Sequence, residues 1–155
     1  MSLGVVGAAH GAINPQRFEI SALGLQTLTG NPGTESHGML SQASGDFFTA
    51  LPSLPDGIHV CEFGISFHDN DAAHDVTATL ERRNAQTGAR PDAEPQVMAT
   101  VRSSGANSSI RNRHTQNISN ETVDTERFAY FVRVSLPSGN NIDVVKLDLD
   151  LNVSC

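Results

Sequence analysis

This sequence of 155 residues contains no tryptophan, one tyrosine (Tyr130) and one lysine (Lys146). It is therefore short of the flat exposed rings on which sugars stack, which counts against a carbohydrate module. Ten basic residues stand against seventeen acidic ones, for a formal charge of -7 and a pI near 5.2. Surfaces that hold nucleic acid or anionic membranes are basic, so both partners are excluded as expectations. Arg82-Arg83 and Arg111-Asn112-Arg113 are too short to alter that balance. No apolar run approaches the roughly 20 residues that span a bilayer, so no membrane insertion is expected. Also missing are the Gly-x-Ser-x-Gly elbow, the phosphate-cradling glycine loop, the His-Glu-x-x-His helix and the dinucleotide glycine turn. The expectation is a protein that binds rather than catalyses.

What is present reads as β-structure. A chain of this length is one ordinary domain, able to bury roughly two thirds of its unfolded surface without help from metals or disulfides. Helical periodicity is almost absent. From Val145 through Leu147, Leu149, Leu151 and Val153 apolar residues alternate with polar ones, as in a strand with one dry face. Phe128, Tyr130, Val132, Val134 and Leu136 repeat the pattern, with the turn residues of "PSGNN" between the two runs, which reads as a hairpin. In that register Val134 faces Val145, Val132 faces Leu147, and Arg133 lies diagonal to Asp148.

Upstream, "LPDG" at 54 to 57 is a turn that launches a strand with Cys61, Phe63, Ile65 and Phe67 on one face. Val76, Ala78 and Leu80, then Val97, Ala99 and Val101, continue the alternation. Weaker strands are expected around Phe18 to Leu28, Asp46 to Leu51 and Ser109 to Ile118. The fold class that follows is all-β: an antiparallel two-sheet β-sandwich of jelly-roll or immunoglobulin-like form with about seven or eight strands. Residues 1 to 155 form a single domain, with 1 to 15 poorly ordered and 29 to 45 a long surface loop. The opening "MSLGVVGAAHGAI" has no basic start and is interrupted by His10, so it is a poor signal peptide as it stands.

The densest chemistry is "HDNDAAHD", residues 68 to 75. Asn and Asp close turns by bonding to the backbone two residues on, and a hairpin tip between two strands needs nothing more. The competing reading uses Asp69, Asp71 and Asp75 as oxygen ligands for calcium, or His68 and His74 with an aspartate for a transition metal. "GIHVCEFG" at 57 to 64 looks like the His-x-His-x-Phe-Gly segment of copper-zinc superoxide dismutases, but Cys61 replaces the second histidine and no later metal loop follows. His59 is expected to face outward. Glu121, Asp124 and Glu126 read as a solvated loop before a strand, and the serines at 103, 104, 108 and 109 flank His114 without a placed base.

Parity directs both Cys61 and Cys155 toward the core, where they either pair or remain as two small buried thiols. A bond across 94 residues stabilises by about 4 to 5 kcal/mol in the loop-entropy model and implies an oxidising compartment. Asn-x-Ser/Thr sequons begin at Asn107, Asn117, Asn120 and Asn152 and mark exposed positions.

The order "FFTALPSLPDGIHV", "FHDNDAAHDVTATLERR", "VMATVRSSG", "NISNETVDTERFAYFVRVSLP", "VVKLDLDL" resembles a group of uncharacterised bacterial proteins, mostly exported, over roughly residues 47 to 151. The resemblance implies a secreted single-domain β-sandwich and no activity. The cysteine-bearing strand and Cys155 depart from the group's pattern. The functional expectation is an extracytoplasmic binding or surface-adhesion module. Its alternatives are a structural protein assembling as a symmetric homo-oligomer, with Phe131 in the interface, and a metal-dependent enzyme.

Overall fold

The computed structural model describes residues 16–36, 38–41, 43–51, 54–85, 94–137 and 141–155. The expectation for residues 1 to 15 lies outside the described residues. Among those described, eleven strands form: β1 (Gln16–Ser21), β2 (Gln26–Thr27), β3 (Thr34–Ser36), β4 (Met39–Ser41), β5 (Gly45–Ala50), β6 (His59–Asp69), β7 (Thr77–Asn84), β8 (Gln96–Arg102), β9 (Asn107–Thr115), β10 (Phe128–Leu136) and β11 (Ile142–Asn152). The all-β antiparallel sandwich is as expected, but seven or eight strands was too few. The additional ones are short: β2 is cut from β1 by a 3₁₀ turn at Ala22–Gly24 capped by the Ser21 hydroxyl, and β3 and β4 lie within 29 to 45. That segment is thus not one long loop, because β4 pairs with β11 and β3 with β4. Strands of two or three residues are too short for alternation to reveal.

One sheet has the order β3-β4-β11-β6-β9, with β1 also paired to β11; the other has the order β2-β5-β10-β7-β8. Their inner faces enclose the core. Phe63, Ile65, Phe67, Leu147 and Leu149 from the first sheet, and Phe47, Leu80, Met98, Val132 and Val134 from the second, are all essentially buried. The "LPDG" turn precedes β6 as expected, with Gly57 at φ +74, a left-handed conformation that favours glycine.

Two expected hairpins are absent. β10 pairs with β5 and β7, while β11 pairs with β1, β4 and β6, so the segment between them crosses from one sheet to the other. Arg133 accordingly meets Glu81, and Asp148 meets Arg17. Residues 70 to 76 likewise join β6 of one sheet to β7 of the other. Alternation reports which face is dry, and both partners of such an arch are dry on the same side, so it mimics a hairpin.

Three bulges shift the expected parities. On β11 Val145 is the extra residue between Val144 and Lys146, so Ile142 and Val144 face inward before it and Leu147, Leu149 and Leu151 after it. On β6 the extra residue is Cys61, and Val60 takes the buried position. On β8 the shift leaves Val97 exposed and buries Met98.

Candidate functional site

Turn chemistry accounts for most of "HDNDAAHD". Asp69 Oδ1 accepts from the Asp71 amide at 3.0 Å and Asp71 Oδ1 from the Ala73 amide at 2.8 Å, two successive Asx turns. Asp71 Oδ2 lies 2.9 Å from His74 Nδ1. The Ala73 amide first, then His74, hold the Asp71 carboxyl below its ordinary pKa. Asp75 accepts from the Ser103 hydroxyl at 3.4 Å, and that hydroxyl in turn accepts from the Val76 amide. His68 points away, its Nδ1 3.2 Å from Asp143 Oδ2 on β11. Asp69 Oδ2 is buried without a hydrogen-bond partner among the described residues.

Two groups among the described residues bring three candidate ligand atoms within 4.8 Å of one another, and neither includes residues 68 to 75. The first is His59, Glu121 and Cys155; its sulfur is committed, because Cys61 and Cys155 are disulfide-bonded with Cα atoms 5.2 Å apart. The second is Glu62, His114 and Asp148 on the outer face of the six-stranded sheet. The cysteines pair, but not in the core: the bulge turns Cys61 to the flank and Cys155 is exposed. His59 faces outward as expected, 3.1 Å from Glu121. Asp124 serves the loop, accepting from Arg127, while its own amide donates to the hydroxyl of buried Tyr130 at 2.7 Å. Asn107, Asn117 and Asn120 are exposed.

The feature best shaped to receive a ligand lies on the outer face of the five-stranded sheet, around Phe131. Antiparallel register sets Phe131 between Ala50 of β5 and Glu81 of β7, and Ala129 beside Arg83. Two alanines thus lie low where Phe48, Phe131 and Leu28 stand up, and the difference in height is a trough of about 320 Å³. That volume lies at the lower end of small-molecule sites, which hold a few polar groups in an apolar lining. Here those groups are two arginines. Arg83 carries its guanidinium 5.9 Å from the centre of the Phe131 ring. Arg133 Nη2 lies 3.5 Å from Glu81 Oε2, and Glu81 is buried, bonded also by the Thr79 hydroxyl at 2.7 Å. Arg133 Nε is a buried donor without a hydrogen-bond partner among the described residues. Such a group carries a desolvation cost of about 1 to 3 kcal/mol that an acceptor relieves.

Of the residues in this trough, the sequence singled out Phe131 alone, and as part of an oligomer interface rather than of a ligand site. Ala50, Arg83 and Arg133 were missed as members of it. They occupy outward positions on three different strands, and only the register of β5, β10 and β7 brings them together.

Comparison with protein-family models finds no match, and comparison with curated proteins finds none. Among solved structures, a family 11 carbohydrate-binding module from Clostridium thermocellum, in complex with a β-1,3-1,4-mixed-linked tetrasaccharide, matches with a TM-score of 0.41 and 14% identity over 93% of this chain and 92% of that one. That tetrasaccharide belongs to that protein. No helix among the described residues is long and apolar enough to cross a membrane.

Proposed function

We propose that the protein is a non-enzymatic, extracytoplasmic binding module that takes, in the trough over β5, β10 and β7, a ligand with an apolar face and an acidic group. The observation that carries this reading is the pairing of an apolar floor with the exposed guanidinium of Arg83 beside Arg133. An apolar face covers Phe48 and Phe131, and a carboxylate meets the exposed guanidinium of Arg83, while Arg133 is already paired with Glu81. The Cys61–Cys155 bond fits an oxidising compartment, as does the likeness to exported bacterial proteins. The assembly reading, with Phe131 in a symmetric interface, is less well supported. A two-fold contact over the trough sets arginine-bearing faces against one another, where they repel.

Uronic-acid oligosaccharides and fatty acids share the required chemistry, and calorimetry with trigalacturonate, laurate and neutral cellotriose separates them. The reading expects one of the acidic probes to bind and cellotriose not to. Arg83→Ala weakens that binding roughly 10-fold, the worth of a charge-assisted hydrogen bond. Equal binding of the neutral probe, or binding indifferent to both Arg83→Ala and Phe131→Ala, overturns it. Light scattering at high concentration is expected to show a monomer. A dimer dispersed by Phe131→Ala establishes the assembly reading instead.

A further inference from the structure

The outer face of the six-stranded sheet carries a second arrangement, independent of the trough. β9, β6, β11 and β1 lie side by side, and register sets His114, Gly64, Asp148 and Glu19 in one cross-strand row, with Glu62, Asp150 and Arg17 in the next. Gly64 is the key to the geometry. With no side chain there, the His114 imidazole lies down on the strand: a Cβ on residue 64 would stand 1.9 Å from His114 Cδ2 and 3.0 Å from Asp148 Oδ1. The ring so placed puts Nε2 3.5 Å from Asp148 Oδ2 and Nδ1 3.7 Å from Glu62 Oε1.

Asp148 is the unusual member. It is 1% exposed, yet its Oδ1 has no hydrogen-bond partner among the described residues and projects over Gly64 beside the imidazole. Arg17 binds the other oxygen, Oδ2, and leaves Oδ1 unpaired. Glu62 is steadied by the Gln116 amide, which donates to its Oε2 at 3.2 Å. Glu19, Glu62, Asp148 and Asp150 supply four negative charges, against which stand Arg17 and Lys146, so two negative charges remain uncompensated with His114 neutral.

From this geometry we infer that Glu62, His114 and Asp148 form a divalent transition-metal site, with zinc the ion of choice. One imidazole with two carboxylates is a mixed nitrogen and oxygen set of the kind that zinc accepts, whereas calcium and magnesium take oxygen alone. A tetrahedral ion with ligands at about 2.0 to 2.2 Å separates them by roughly 3.3 Å. One ring nitrogen and one oxygen from each carboxylate lie within 4.8 Å of one another, and rotation of the partly exposed Glu62 and His114 side chains is what brings both carboxylates to a single nitrogen. A divalent charge offsets the two uncompensated negative charges and gives Asp148 Oδ1 a partner. Arg17 and Gln116 hold the two carboxylates from outside, the role that groups behind metal ligands play elsewhere.

The experiment is calorimetric titration of zinc chloride into oxidised, chelator-treated full-length protein, with calcium chloride as the second titrant. The expected result is one zinc per chain that calcium does not displace. Removing a ligand should cost at least the 10-fold that loss of an outer partner typically costs, in both His114→Ala and Glu62→Gln. His74→Ala should bind as the wild type does. Glu62→Gln keeps the side-chain shape at a partly exposed position, so it carries the test if His114→Ala does not fold. Absence of stoichiometric zinc on the wild type overturns the inference. So does zinc that survives both ligand variants, or zinc that is lost with His74→Ala, which would assign the ion to the 68 to 75 turn.

Discussion

Gly64 is where one absent carbon decides the most. Gly64→Ala places a methyl group 1.9 Å from the His114 ring, which has to rise off the strand. The expected cost is about 1 to 3 kcal/mol, the usual range for forcing an extra methylene into packed space, read from urea denaturation. Asp71 offers a test by pH. Its carboxyl is held below the ordinary 3.8 in the folded protein, chiefly by the Ala73 amide and then by His74. A depressed folded pKa contributes stability that is present above the unfolded value and lost as pH falls through the folded one. Asp71→Ala should therefore be less stable than the wild type at pH 7, and the gap should close as pH falls below 3.8 and through the folded value. A gap that persists unchanged at low pH contradicts the assignment.

Between elements, the strongest cross-link is the disulfide. It ties Cys155, three residues past the end of β11, to the bulge of β6, across a separation of 94 residues. The double variant Cys61→Ser/Cys155→Ser should lose about 2 to 5 kcal/mol in guanidinium denaturation. A loss much smaller than this would mean that the pairing of β6 with β11 holds that end without help. The inward residues of β10, from Tyr130 to Leu136, were legible because a period of two marks a dry face whatever the neighbours. Which strand lies beside β10 was not legible, since an arch between sheets and a hairpin within one present the same alternation. Cys61, Val145 and Met98 show the same limit. A bulge is one extra residue with no signature of its own, and it reverses every inference of facing beyond it. Of the candidate sites, Phe131 was readable from one strand. The trough around it and the Glu62, His114 and Asp148 group each need three strands in register, which no single stretch of sequence encodes.

Across the whole molecule, the two sheets divide the surface by character. The outer face of the six-stranded sheet is a ladder of carboxylates, histidines, Arg17 and Lys146. The outer face of the five-stranded sheet holds an apolar trough between arginines. The overall charge of -7 makes that arginine-bearing trough a local exception on an acidic molecule. Binding of an acidic ligand there should weaken as salt rises, because added ions screen the exposed part of the attraction while the contact with the apolar floor remains. Affinity that is flat from low to high salt would mean that the arginines do not contribute. The most direct test of the trough as the binding site is a residue-by-residue map of amide shifts in isotope-labelled protein titrated with whichever acidic probe binds. The account predicts that shifts concentrate at Leu28, Phe48 to Ala50, Glu81 to Arg83 and Ala129 to Arg133. Shifts confined to the six-stranded sheet, or no saturable shifts with either trigalacturonate or laurate, would contradict it.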